Sequence, residues 1–178
     1  MRYILLLLLS FSILSFSHVK YEEDISENIN YRVSIEVTNR IFSSNLEIIN
    51  TPSDIAVKFI NDYVENCNSK ERDEIMSWIN NYPKVSQTFK EELEELILEA
   101  EKNAPEIGLD FDPIFDAQDY PDDGFKLSNF DPTTNYLTVE GIHWEGFYIT
   151  MKIKKYNNEW FIDGCGVINI PKSKQAKR

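Results

Sequence analysis

The stretch "FYITMKIKKYNNEWFIDGCGVINI", Phe147 to Ile170, decides the fold. Phe147, Ile149, Met151 and Ile153 alternate with Tyr148, Thr150, Lys152 and Lys154. A period of two is the mark of an extended chain with one face buried. Asn157-Asn158 interrupts the alternation, and asparagine tolerates the positive φ that a two-residue hairpin demands. The chain then returns as "EWFIDG", with Trp160 and Ile162 on one side. Gly164 and Gly166 flank Cys165, and glycines inside a strand pattern point to a bulge or to a second backbone at close range.

Upstream, "FKLSNF" and "YLTVEG" read as two more strands joined through "DPTTN", a run of turn-forming residues. Before Gly108 the period becomes helical. "TPSD" starts a helix: Thr51 can cap it, Pro52 suits the first helical position, and Asp54 stands where a capping box closes. Ala56, Phe59, Ile60, Tyr63, Val64 and Cys67 then form one apolar face. A shorter helix is expected in "KERDEIMSWINNY", with Ile75, Met76 and Ile79 inward and Pro83 ending it. Thr88 and Glu91 offer a capping box for a third helix, whose stripe is Phe89, Leu93, Leu96, Ile97 and Ala100. Helices first and antiparallel strands after is the α+β order.

The N-terminus speaks to location. Arg2 precedes "YILLLLLSFSILSFS", too short for a span of about 20 residues. Ser15-Phe16-Ser17 is a small-x-small cleavage pattern, so residues 1–17 read as a signal peptide and the exported chain starts near His18. The organisation expected is a signal peptide (1–17), a partly loose extension (18–50) with a short strand at Val33–Val37, an α+β domain (51–171) and a basic tail (172–178). The protein is expected in the periplasm or outside the cell, without a stable membrane anchor once the signal is removed.

The 178 residues carry a net charge of -12. Thirteen acids stand against the single base Lys102 between Glu91 and Asp123, leaving the rest of the exported chain near neutral. Phosphate recognition needs a basic face, so nucleic acid is excluded as the expected partner. An anionic membrane surface is disfavoured for the same reason. Cys67 and Cys165 are the only cysteines. In an oxidising compartment they form a candidate disulfide, and closing so long a loop stabilises by about 4–5 kcal/mol in the chain-entropy model. The competing reading is two small buried hydrophobes.

The helix "SDIAVKFINDYV", the segment "DFDPIFDAQDYP" and the ending "KKYNNEWFIDGCGVINIP" together resemble a family of small exported bacterial proteins, domain of unknown function 3828. That family looks like a member of the nuclear transport factor 2-like superfamily. The resemblance covers about residues 50 to 171, and "DPIFDAQD" is its most specific part. It implies a cone, with helices closing the concave side of a curved antiparallel sheet. It implies no activity, since such folds host enzymes and binding modules alike.

The acidic stretch "GLDFDPIFDAQDYPDDGF", Gly108 to Phe125, admits several readings. A calcium loop of EF-hand type fails, because counting from Asp110 puts Ile114 and Phe115 where an acid and glycine are required. Two histidines and two distant cysteines do not make an ordinary zinc site. A nucleophile pairing Cys165 with His143 lacks any supporting signature. No metal or cofactor is expected.

Acid–base chemistry in a cone cavity would draw its carboxylate from Asp116, Asp119 or Asp163 and its hydroxyl from Tyr63 or Tyr120. The remaining reading is a structured cover: Leu109, Phe111, Ile114 and Phe115 pack onto the sheet while Asp112 before Pro113 starts a turn and Asp116 or Asp119 caps one through Asx bonding. Glu92, Glu95, Asp110, Asp112, Asp119 and Asp122 would then form an acidic binding face. The expected function is a non-catalytic exported binding or accessory domain, an inhibitor, immunity or ligand-binding factor for a basic protein or a small apolar ligand. The alternative is a small-cavity isomerase or lyase.

Overall fold

The computed structural model describes residues 51–176. The signal segment 1–17, the extension 18–50 with its Val33–Val37 strand, and the last two residues of the basic tail lie outside the described residues. Within them, helices α1 (Pro52–Asn68), α2 (Ile75–Asn81) and α3 (Gln87–Asn103) precede strands β1 (Phe125–Asp131), β2 (Tyr136–Gly141), β3 (Tyr148–Tyr156) and β4 (Glu159–Cys165). The described residues therefore form an α+β domain, three helices packed on a four-stranded antiparallel open sheet in the order β1-β2-β3-β4. No helix among them is long and apolar enough to cross a membrane.

α1 starts as its sequence requires. The Thr51 hydroxyl accepts from the Asp54 amide at 3.2 Å and also bonds the Asp54 carboxylate. Ala56, Phe59, Ile60, Tyr63 and Val64 are buried, while Cys67, one turn further, is only half-buried. α3 begins one residue before Thr88 because Ser86, not Thr88, is its cap, its hydroxyl accepting from the Phe89 amide at 3.2 Å. Thr88 is engaged elsewhere. Only Phe89 and Leu93 of the α3 stripe are fully buried, and Leu98 at 59% exposure stands in solvent. The second half of α3 is packed more loosely, with Ile97 against the core and Leu96 and Ala100 half-buried.

The strands follow the alternation. Ile149, Met151 and Ile153 are at most 1% exposed, and Leu137 and Val139 face the same interior from β2. Asn157 and Asn158 take φ of 47° and 67°, the paired left-handed conformation of a tight hairpin whose twist matches its strands. The loop between Asp131 and Asn135 is held by the Asp131 carboxylate, which accepts from the Thr133 amide at 2.9 Å.

Two irregularities shape the sheet. Leu127 pairs with Val139 and Asn129 with Thr138, so Ser128 is an extra residue in β1. Lys152 pairs with Gly164 but Ile153 with Ile162, which makes Asp163 the extra residue of a bulge in β4. A bulge re-aims a side chain. Here it turns Asp163 inward. The outer edge of β4 is covered by Lys84–Ser86, where the Ser86 amide donates to the Ile162 carbonyl at 2.9 Å and the Ile162 amide to Lys84 at 2.7 Å. That pairing leaves less free edge for another chain to join.

The helix–sheet layer is filled by Phe59, Phe89, Phe115, Phe125, Leu93 and Met151, each under 2% exposed. Ring contacts run through it without a break: Phe89 to Phe59 at 6.0 Å, Phe59 to Trp78 at 5.5 Å, Trp78 to Tyr63 at 4.9 Å and Tyr63 to Phe115 at 5.0 Å. Tilted and edge contacts of this kind suit the charge distribution of aromatic rings.

Candidate functional site

Asp112 is the organising residue of the acidic loop. Its Oδ1 accepts from the amides of Ile114 at 2.8 Å and Phe115 at 3.1 Å, and its Oδ2 from the Tyr63 hydroxyl at 2.7 Å. The first two bonds fold residues 112–115 into a turn that an Asp-Pro pair favours. They drive Ile114 and Phe115 to 0% exposure. A bridge between Asp112 and Ala117 closes the loop. The stretch is a structured cover, as the spacing of its apolar residues suggested, although Leu109 and Phe111 are only half-buried. The aspartate whose side chain holds this turn is Asp112, the one before Pro113. Asp116 instead takes a positive φ of 54° at the next turn, a conformation aspartate tolerates, and Asp119 is exposed.

A cleft of about 320 Å³ opens beside this turn, walled by Tyr63, Cys67, Arg72, Leu109, Phe111 and Asp112. Burial raises the Asp112 carboxyl, and its three hydrogen bonds only partly offset that push. Burial, then the Asp112 charge and hydrogen bond, push the Tyr63 phenol up, so it stays a donor. Burial and the Asp112 charge likewise push Cys67 up to about 11, well away from a reactive thiolate.

Because the Asp112 pKa is raised on folding, this carboxyl favours the folded state most fully below its unfolded pKa, and that contribution is lost as pH rises through the folded value. Asp112→Asn is therefore expected to change stability by no more than about 1 kcal/mol at pH 7, since the amide oxygen still accepts the two turn bonds. It should also flatten this part of the rise in stability on acidification. Urea unfolding between pH 4 and 8 reads both effects.

Asp163 is the second internal carboxylate and at 3% exposure the one charged residue buried among those described. Lys152 Nζ meets Oδ2 at 2.7 Å, while Ser86 and Thr88 donate to Oδ1 at 2.9 Å and 2.8 Å. Burial pushes its carboxyl up, but the bonds from Lys152, Thr88 and Ser86 outweigh that push and hold it below the usual range. Asp163 ties β3, β4 and the start of α3 together. Sequence reasoning missed Lys152 and Ser86, because a lysine on the polar face of a strand reads as solvated. The glycine-marked bulge was the only available hint.

The candidates for acid–base work are thus dispersed. Asp163 is locked in its ion pair, and Tyr63 lies instead with Asp112, a residue expected to start a turn and to join the acidic face but not to pair with a tyrosine. Tyr120 stacks on Phe115 at 4.5 Å and donates to Asn68 at 3.1 Å. Glu92, Glu95, Asp110, Asp119 and Asp122 are all exposed. Among the described residues no three His, Cys, Asp or Glu side chains gather as a metal site.

His143 is exposed and meets Asp123 at 3.0 Å, while Cys165 is fully buried, so they form no catalytic pair. Both cysteines are free thiols rather than the candidate disulfide. The reason is local: the Cys165 thiol points at the Ile114 carbonyl at 3.5 Å under the acidic loop, whereas Cys67 faces the cleft wall beside Tyr63. Comparison with protein-family models, curated proteins and solved structures found no match.

Proposed function

We propose that the chain is an exported, non-catalytic binding or accessory domain of the bacterial envelope that recognises a basic protein surface. The observation that carries this reading is the state of the carboxylates. Asp112 and Asp163 each hold three donors from the chain itself, and Glu92, Glu95, Asp110, Asp119 and Asp122 stand in solvent. A base needs a free lone pair within reach of substrate. The helix–sheet layer is occupied by aromatic and aliphatic side chains, so a small apolar ligand would bind outside it. The finer fold we infer is the nuclear transport factor 2-like cone. Its support is the resemblance of residues 50–171 and the placement of the helices on the sheet, and a crystal structure would test the sheet's curvature.

The acidic face should steer a cationic partner, with most effect at low salt. Exposed charges lose this reach as the Debye length falls from about 10 Å at 0.1 M to about 3 Å at 1 M. Mature protein used as bait in envelope extract is expected to retain a basic protein. Replacing Glu92, Glu95, Asp119 and Asp122 together by their amides should slow association several-fold and shrink its salt dependence. An unchanged rate and salt slope would reduce the acids to solvation. Export is tested by intact mass: the form starting near His18 is expected, and retention of Met1 in a membrane pellet contradicts it.

One observation favours the isomerase or lyase alternative: the raised Asp112 beside Tyr63 on the wall of an open cleft. That chemistry would use Asp112 Oδ2, which accepts only the Tyr63 hydroxyl. Its signature would be turnover lost in both Asp112→Asn and Tyr63→Phe with the fold intact.

A further inference from the structure

A second cleft, of about 550 Å³, lies between the start of α1, the Tyr82–Lys84 segment and the β3–β4 hairpin. Its walls are Ile55, Tyr82, Pro83 and Trp160, and three lysines line it, Lys58, Lys84 and Lys155, against one acid, Glu159. On a chain of net charge -12 this is a concentration of the opposite sign. The three are not equivalent. Lys58 is committed to Asp62, with both carboxylate oxygens at 2.7 Å. Lys84 reaches Glu159 only at 3.4 Å, and that glutamate is 62% exposed. Lys155 forms no ion pair among the described residues; its ammonium lies 5.6 Å from the centre of the Trp160 ring. The Asn158 side chain at the hairpin tip adds an amide to the rim.

We propose that this cleft binds a small ring-shaped organic anion of the uronic-acid class, a sugar ring bearing one carboxylate. Lys155 takes the carboxylate, with Lys84 swinging from its loose, exposed partner to share it. The ring lies against the Trp160 and Tyr82 side chains that line the cleft, and Asn158 meets a ring hydroxyl. The volume falls within the range of small-molecule sites, and apolar walls with a few placed polar groups are their usual composition. One uncommitted ammonium and one weakly committed neighbour match a single carboxylate rather than a dense polyanion. The field of the acidic segment argues the same way. A long polyanion would have to approach a strongly negative surface, whereas a small anion feels mainly the local lysines. The site shares no residue with the acidic face, so it stands or falls independently of the proposed protein partner.

The test is titration of the exported form of the chain with sodium glucuronate, followed by amide and indole NMR shifts. Saturable shifts are expected at the Trp160 indole N–H and the Asn158 side-chain amide, with none from glucose at equal concentration. Lys155→Gln should weaken binding about tenfold, the loss of one hydrogen bond to a charged group, and Lys84→Gln less. Both side chains are on the surface, and the unperturbed remainder of the spectrum reports that each variant is folded. The proposal is overturned if glucuronate shifts neither group, if glucose shifts them equally, or if sodium acetate reproduces the saturable shifts. It is also overturned if Lys155→Gln binds as tightly as the parent.

Discussion

Replacing Lys152 by methionine is expected to cost the domain about 3–5 kcal/mol at neutral pH, the usual penalty for stranding one partner of a buried ion pair. Methionine keeps most of the lysine stem, so little of the loss comes from packing. What remains is a carboxylate whose side chain is 4% exposed and has only Ser86 and Thr88 as donors. Lys152 itself is 33% exposed, so water can enter where its ammonium stood, which puts the lower end of the range first. Small domains have only about 5–15 kcal/mol in total.

The pH dependence separates charge from packing. In the parent the Asp163 pKa is depressed on folding, so its stabilising contribution is present above the unfolded pKa and lost as pH falls through the folded one. In Lys152→Met that depression disappears, burial dominates, and the carboxyl takes up a proton before the parent's does. The gap between the two proteins in urea unfolding should therefore narrow as pH falls from 7 towards about 4, the ordinary carboxylate range. A gap that stays constant over that interval would assign the loss to the missing stem. Asp112 and Asp163 have opposite signs, so the parent's own acid limb is a sum of opposing slopes, and single variants are needed to see either.

How much of this was legible can be judged residue by residue. The hairpin at Asn157-Asn158, the alternation from Phe147 to Ile153 and the buried face of α1 follow from backbone chemistry and periodicity, which act over a few residues. The cover formed by Ile114 and Phe115 was legible for the same reason. The cap of α3 was not. Ser86 and Thr88 are equally good caps in isolation. Both hydroxyls donate to Asp163, 75 residues beyond Thr88 in sequence, and Ser86 is in addition pinned to β4 by its amide on the Ile162 carbonyl.

The same limit hid the Asp112–Tyr63 pair, which joins residues 49 apart. It also hid the lysine cleft, whose members come from α1, the α2–α3 connection and the hairpin. Local signals specify elements. Which polar side chains meet is settled only when the elements pack: Asp112 before Pro113 marked a turn, but nothing local marked Tyr63 as its partner.

The second large effect is expected at Gly166. Gly166→Ala should destabilise by about 2–5 kcal/mol, combining the roughly 1–2 kcal/mol cost of a left-handed conformation with the roughly 1–3 kcal/mol of overpacking. The glycine has φ of 61°, and a Cβ there would stand 2.5 Å from the Ile114 carbonyl oxygen and nearer still to that of Pro113. Neither obstacle is a flexible side chain that could swing away. Both carbonyls are already engaged, Pro113 accepting from the Val167 amide at 3.0 Å and Ile114 from the Cys165 thiol at 3.5 Å.

A methyl group must therefore lift the whole turn that Asp112 holds, and with it Phe115 from its contact with Tyr63. This yields a readout beyond stability. If the turn lifts, Cys165 loses its cover, and its reaction with a thiol reagent under native conditions should rise well above that of the parent. Gly164→Ala is the comparison: its Cβ would meet the Ile168 carbonyl at 2.9 Å, but its φ is not positive and its nearest neighbours are Ile168, Asn169 and Ile170 rather than the acidic loop. It should lose stability without the same gain in Cys165 reactivity. Equal protection of Cys165 in the parent and in Gly166→Ala, with equal urea midpoints, would mean that the loop is not seated on β4 as described, and the account of the acidic stretch as a cover would have to be given up.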